Sequence, residues 1–307
     1  MIPKKLAKGD MIGIVSPSTP VMEDQRVQFN KGINYFKALG FQIRLGEYID
    51  SKKWKYAASP QEKAEDINMM FSDKSVKAII CTQGGDTCNA CLPFINWDNI
   101  KKNPKIFLGI SDISVLLNSI NHKTNLITFH GNDILWGYGR DIEEYESREF
   151  IARLMDGEIG TIPVNGERKT IRNGIAEGIL RGGNLRCLLK LAGTPYFPDF
   201  ENSILFIEDI DITPERCDCY FHQLKQIGVF DRIKGVLVGF IDGLENNPHA
   251  VMQMEEILLK ITENYSFPIL KMKEFGHNCQ NTVLPIGTSI KIDTFKKSIE
   301  LIDKYIL

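Results

Sequence analysis

Long apolar runs are missing from this 307-residue chain: nowhere do about 18 consecutive apolar residues occur, so no membrane-spanning helix is expected. The basic residues near the N-terminus are followed by no apolar stretch of the kind an export signal needs, and a cytoplasmic setting is expected. Net charge is nearly absent as well. With 37 Lys and Arg against 39 Asp and Glu, the formal charge of -2 gives no electrostatic reason to expect nucleic acid or an anionic membrane as partner. Recognition must therefore be local. The seven cysteines are an odd number without the spacing of a disulfide framework, which reads as reduced thiols, and histidine is scarce, at five. Internal repeats and low-complexity tracts are also lacking.

What is present is ordinary for a globular chain: 25% charged and 43% hydrophobic residues. A chain of this length can bury about three quarters of its unfolded surface, as one large domain or two of usual size. Met11-Ile-Gly-Ile-Val15 reads as a strand stopped by Ser16-Pro-Ser-Thr-Pro20. Phe29, Ile33, Phe36 and Leu39 recur near the helical period before Gly40, and Phe41–Leu45 alternates as a strand. Ser59-Pro60-Gln-Glu62 is a capping box opening a helix to about Phe71, followed by the strand Val76–Thr82 and Gln83-Gly-Gly-Asp86. Asn89–Ile95 reads as a short helix.

In Lys105–Leu117 an apolar run stops at Gly109 and an apolar-periodic segment begins after Ser111, which is the pattern of strand, tight turn and helix. Such strand and helix alternation implies a parallel sheet covered by helices, with ligands at the carboxyl ends of strands. Leu126–Phe129 adds a strand, after which the pattern decays through Trp136-Gly-Tyr-Gly-Arg140 to about Asn173. The expected division is therefore residues 1–135, a connection over 136–175, and 176–307. In the last part Gly182-Gly183 reads as a tight turn, with helices over 184–192, 214–227 and 250–265. Strands are expected at 204–208, 235–240, 289–292 and 298–302, with a strand-like 268–270 and a turn at Leu284-Pro-Ile-Gly287.

A serine at the turn after Gly109 can cap the following helix or serve as a nucleophile beside helix amides. A nucleophile needs a base and an acid. His122 lies roughly three turns along the same helix, His222 falls inside a helix, and His249 follows Pro248. His130 and His277 remain, the second in a loop with Phe275-Gly276. Glu208 and Asp209 close an apolar strand; side chains alternate across a sheet, so only one can face the site, and spacing does not say which. Cys88-Asn-Ala-Cys91 has metal or redox spacing, with Cys217, Cys219 and His222 as further ligands, but a single pair is better read as buried thiols. Cys81 or Cys88 as a nucleophile is a further alternative.

One ordered series runs through the chain: Gly9-Asp10, Ile14-Val-Ser-Pro-Ser18, Gly84-Gly85, Gly109-Ile-Ser-Asp112, Gly182-Gly-Asn184, Gly193-Thr-Pro195, Leu205-Phe-Ile-Glu-Asp209, Gly276-His277 and Leu284-Pro-Ile-Gly287. It closely resembles the LD-carboxypeptidase family of serine peptidases, which includes the peptidases of microcin C self-immunity. The resemblance implies an α/β fold class: an N-terminal parallel-sheet α/β domain, amidotransferase- or flavodoxin-like, plus a C-terminal mixed α/β domain. It implies a Ser-Glu-His triad of Ser111, Glu208 and His277, an oxyanion hole from the backbone N–H groups of Gly85 and Asp112, no metal or other cofactor, and a homodimer. The implied substrate is a small peptide, a muropeptide tetrapeptide losing its terminal D-amino acid, with a peptidyl or aminoacyl nucleotide as the alternative. A catalytically silent peptide-binding protein is the alternative of another class. Ile110 stands where relatives carry an aromatic, and Asn278-Cys279-Gln280 where they often carry a proline. No carboxylate-binding residue is assigned.

Overall fold

The computed structural model describes residues 1–307 as two sheets with helices between and around them. The strands are β1 (Met11–Val15), β2 (Gln42–Leu45), β3 (Val76–Cys81), β4 (Ile106–Gly109), β5 (Thr128–His130), β6 (Gly160–Thr161), β7 (Lys169–Arg172), β8 (Ile175–Asn184), β9 (Ser203–Asp209), β10 (Gly235–Ile241), β11 (Ile269–Gly276), β12 (Leu284–Ile286), β13 (Ser289–Asp293) and β14 (Ser298–Leu301). The helices are α1 (Arg26–Ala38), α2 (Pro60–Ser72), α3 (Trp97–Lys102), α4 (Ser114–Thr124), α5 (Glu144–Phe150), α6 (Leu185–Leu189), α7 (Pro214–Gln226) and α8 (Met254–Ile261). No helix is long and apolar enough to cross a membrane.

The first sheet has the order β12-β5-β4-β3-β1-β2 and is parallel except for β12, so the order reverses between β3 and β1. At such a reversal the loops leaving the two strands diverge and open a crevice at the carboxyl edge. The second sheet, β6-β14-β13-β8-β9-β10-β11-β7, is mixed, with β8 to β11 parallel at its centre. Local signals act as expected at α2, where Ser59 Oγ accepts from the Glu62 amide and Glu62 Oε2 accepts from the Ser59 amide.

Strand parity decides how the second sheet is used. Ile204 and Phe206 of β9 and Leu237 of β10 join the core that also fills the first sheet, whereas Leu205, Ile207, Val236 and Val238 join a separate core under α7 and α8. Side chains at every second position share a face, so Glu208 continues the row of Ile204 and Phe206 toward the first sheet. Asp209 continues the other row.

Four expectations from the sequence are corrected. Gly182-Gly183 is not a turn but the end of the ten-residue β8, with φ of +136° and +130°. Leu284–Ile286 is likewise a strand, pairing antiparallel with β5, and Pro285 is accommodated because β12 is an edge strand, where a missing N–H costs no ladder bond. The helix expected over 250–265 spans only 254–261. Within 136–175, the stretch read as a connection, residues 160–161 and 169–172 are strands of the second sheet.

The glycine pair yields a test. A Cβ on Gly182 would stand 1.9 Å from the Phe206 carbonyl oxygen, and its φ is unfavourable to any L side chain. Gly182→Ala should lower the thermal unfolding midpoint by several degrees, reflecting roughly 2 kcal/mol or more. Gly193→Ala, at φ +77° with open space around it, should cost only about 1 kcal/mol. Equal midpoints for the two variants in differential scanning calorimetry would contradict this account.

Candidate active site

Ser111 is reached when β4 ends at Gly109 and Ile110 stays extended; Ser111 itself then adopts φ +64°, opening a short 3-10 turn before α4. A capping serine has extended backbone and accepts an amide with its hydroxyl. Ser111 does neither, so the capping reading fails here. A left-handed non-glycine residue costs about 1–3 kcal/mol and persists only where its surroundings fix it.

Those surroundings are on both sides of the turn. Asp112 is fully buried, and its carboxylate accepts from Ser18 Oγ (2.6 Å), the Cys88 amide (2.8 Å) and Lys190 Nζ (2.6 Å). Three separate segments therefore anchor the residue next to Ser111, one of them following α6 of the second half. On the open side lies Gly84-Gly85: a Cβ on Gly84 would be 2.5 Å from Ser111 Cβ and 3.2 Å from the Asp112 amide nitrogen. A Cβ on Gly85, at φ +142°, would be 2.1 Å from Thr19 Oγ1. Only a chain without side chains fits between Ser111 and the loop after β1.

Facing this turn is the carboxyl edge of the second sheet. Glu208, at 0% exposure, places Oε2 2.5 Å from His277 Nδ1. His277 follows Gly276, at φ +134°, where a Cβ would stand 2.4 Å from the Phe240 carbonyl oxygen, and precedes Asn278 at φ +55°. Asparagine tolerates that left-handed conformation better than most residues. The Gly276 amide donates to Asn281 Oδ1 (2.8 Å), and Arg140 Nη2 donates to the Cys279 carbonyl (3.1 Å), so the loop is pinned at both ends. Asp209, on the other face, accepts from Arg186 Nη2 (2.7 Å) and the Arg186 amide (3.1 Å).

Burial alone would raise the Glu208 carboxyl, but the charge of His277, with His130 nearby, outweighs it and holds the group well below the usual carboxylate range. Burial alone would lower His277; the charge and hydrogen bond of Glu208, then Asp133 and Asp209, outweigh it and raise the imidazole above 6.5. Both partners shift as an ion pair should. Asp133 is pushed up to about 6 by burial, against the amides of Gly137 and Trp136 that its Oδ1 accepts at 3.0 and 2.7 Å.

These pieces border one cavity of about 520 Å³, lined among others by Gly85, Ser111, Asp133, Trp136, Arg140 and His277. Of the residues singled out in the sequence, Ser111, His277 and Gly85 thus meet at one cavity, with Asp112 directly behind the first and Glu208 behind the second. The remaining histidines and the cysteines do not line the cavity, although His130 lies behind it with Nε2 3.9 Å from Glu208 Oε1. His222 and His249 are exposed and His122 is in the last turn of α4. Cys88 and Cys91 are in the first core, Cys217 in the second, and Cys219 is exposed. Burial pushes the Cys81 and Cys88 thiols well up, which disfavours thiolate chemistry at either. No group of three His, Cys, Asp or Glu side chains that could hold a metal forms.

The sequence reading passed over Asn132, Asp133, Trp136 and Arg140 as cavity residues. The signal was available, because they follow β5 on the same carboxyl edge as Gly84-Gly85 and Ser111.

Residues 12–131 match the model of the LD-carboxypeptidase N-terminal domain and residues 177–292 that of the C-terminal domain. The chain is 30% identical over 298 residues to the probable murein peptide carboxypeptidase of Bacillus subtilis (strain 168), covering 96% of this chain and 92% of that one. It is 30% identical over 337 residues to the microcin C7 self-immunity protein MccF of Escherichia coli, covering 98% and 95%. The solved structure of MccF in complex with glutamyl sulfamoyl guanosine superposes with a TM-score of 0.93 at 26% identity, over 100% of this chain and 99% of the other.

The Glu208–His277 pair predicts a pH signature. Through His277, whose folded value is raised, its stabilisation is full below 6.5 and is lost as pH rises through the raised value. Through Glu208, whose value is lowered, it is present above 4.5 and is lost as pH falls through the lowered value. NMR titration of labelled histidine should therefore place His277 above 6.5 in the native chain, and Glu208→Gln should bring it down. A midpoint indifferent to Glu208→Gln would contradict the pairing.

Proposed function

The chain belongs to the LD-carboxypeptidase family of peptidases, and on that premise we propose that it is a serine carboxypeptidase that hydrolyses an L,D-peptide bond, removing the terminal D-amino acid from muropeptide tetrapeptides in peptidoglycan recycling. The observation that carries this reading is the pair of buried Glu208 and cavity-lining His277, at 2.5 Å, on the same cavity as a serine held at φ +64°. A cytoplasmic homodimer is part of the same reading.

In the proposed mechanism His277 takes the proton of Ser111 Oγ as the oxygen attacks the peptide carbonyl, and Glu208 holds the imidazole in the tautomer with hydrogen on Nδ1. The backbone amides of Gly85 and Asp112 receive the charge that develops on the carbonyl oxygen. His277 then passes its proton to the departing amine, and water, deprotonated by the same imidazole, releases the acyl group from Ser111. The positive φ of Ser111 supports the role, since a nucleophile on a sharp strand-to-helix turn presents its hydroxyl clear of the sheet.

A second reading keeps the hydrolase and changes the substrate to a peptidyl or aminoacyl nucleotide. It is favoured by Trp136, half-exposed on the cavity with its Nε1 held by Gln83 Oε1 at 2.9 Å, which offers a fixed aromatic face to a base.

Mass spectrometry of products from a muropeptide digest, run beside an aminoacyl sulfamoyl adenosine, divides the two substrates. Ser111→Ala should reduce turnover of the true substrate by roughly 10⁴- to 10⁶-fold. Undiminished turnover in that variant would remove the mechanism. Wild-type protein that neither turns over substrate nor reacts with a fluorophosphonate would instead be a binding protein.

A further inference from the structure

A second imidazole stands at the carboxylate of Glu208. His130 ends β5, is fully buried, and packs edge-on against Phe206 and Phe275, with ring centroids 5.2 and 6.3 Å away. Its Nε2 is 3.9 Å from Glu208 Oε1. Neither ring nitrogen has a hydrogen-bond partner, and neither does that Oε1.

Three stranded polar atoms in one apolar slot are costly, at about 1–3 kcal/mol each. Packing alone does not call for them, because a phenylalanine would fill the space between two aromatic rings without stranding anything. A single bond removes two of the three: Nε2–H donating to Oε1, which requires the groups to close by roughly 1 Å to reach ordinary hydrogen-bond length. The slot is shaped for close approach. Gly183 has no side chain where a Cβ would stand 3.6 Å from His130 Cδ2 and 2.4 Å from Ser114 Oγ. The His130 backbone is itself fixed, paired with Gly109 on one side and Leu284 on the other.

We propose that His130 is a positioning residue, donating Nε2–H to Glu208 Oε1 so that the carboxylate is clamped between two imidazoles and Oε2 stays aimed at His277 Nδ1. This rests on the reading of Glu208 and His277 as acid and base. The carboxylate has one torsion too many to hold its plane through Oε2 alone, and the second bond removes that freedom. The clamp also crosses between sheets, tying the acid on β9 to the strand beside the one that leads to Ser111.

The other titratable groups around the pair are Asp209 beside it on β9, Asp133 on the loop after β5, Cys187 on α6 and Cys279 on the loop after β11. None is altered in the experiment. Nitrogen-15 NMR of the wild-type chain should show His130 carrying hydrogen on Nε2; a ring with hydrogen on Nδ1 only would overturn the proposal without any variant. His130→Phe should move the low-field Nδ1 proton of His277 upfield, lower the His277 titration midpoint, and reduce kcat by about 10- to 100-fold with KM little changed. His130→Gln, which returns an N–H donor near the position of Nε2, should restore most of each. A folded His130→Phe with unchanged His277 resonances, or a His130→Gln no better than His130→Phe, overturns the clamp. Should Ser111→Ala leave turnover intact, the nucleophile assignment falls, while the tautomer and the His277 resonance still decide the clamp on their own.

Discussion

A carboxylate fully withdrawn from water must be matched by opposite charge, and Glu208 is placed where that match has to come from a distant part of the chain. It is in the even row of β9, the row that packs on the first sheet, so its oxygens emerge at the seam between the sheets. Desolvation there costs several kcal/mol unless a partner stands within hydrogen-bond reach. The loop that follows β11 supplies His277, and its unusual backbone, with Gly276 and Asn278 both at positive φ, is the geometry that brings the imidazole back onto the carboxylate. The shape of that loop and the parity of the strand are one constraint seen from two sides.

The same logic governs the serine side. Ser111 is strained, and the strain is held by Asp112, a second buried carboxylate with three donors from three segments. Lys190 reaches Asp112 from just beyond α6, so the turn that carries Ser111 is braced against the half that carries Glu208 and His277. Side-chain groups set within such a frame keep their positions without any substrate present, which is how a fixed electrostatic environment is built before the reaction begins.

Much of this was legible in the sequence. The alternation of β-runs and helical periods up to Phe129 gave the parallel sheet, and a serine after Gly109, a loop histidine after Gly276 and an acid ending an apolar run were visible as residue types in suitable places. Motif order, not spacing, separated His277 from His130 and Glu208 from Asp209. The row shared by Ile204, Phe206 and Glu208 contains the physical answer to the second choice, but it becomes usable only once one knows which row meets the first sheet. Gly182-Gly183 misled because a glycine pair signals a turn unless another backbone lies against it, and here the Phe206 carbonyl does. Leu284–Ile286 misled because proline argues against a strand everywhere except at an edge. Asn132, Asp133, Trp136 and Arg140 fall where periodicity is lost, which marks only a loop; their one signal is that the loop leaves β5 at the same carboxyl edge as Ser111.

The strand β12 changes how the two halves can move. Between Gly276, at the end of a strand of the second sheet, and Leu284, the first residue of a strand in the first sheet, the chain has only the seven residues that carry His277 and Asn281. That segment is a strap sewn into both sheets. A hinge opening of one half against the other would have to shear the β5–β12 ladder or stretch the seven-residue strap.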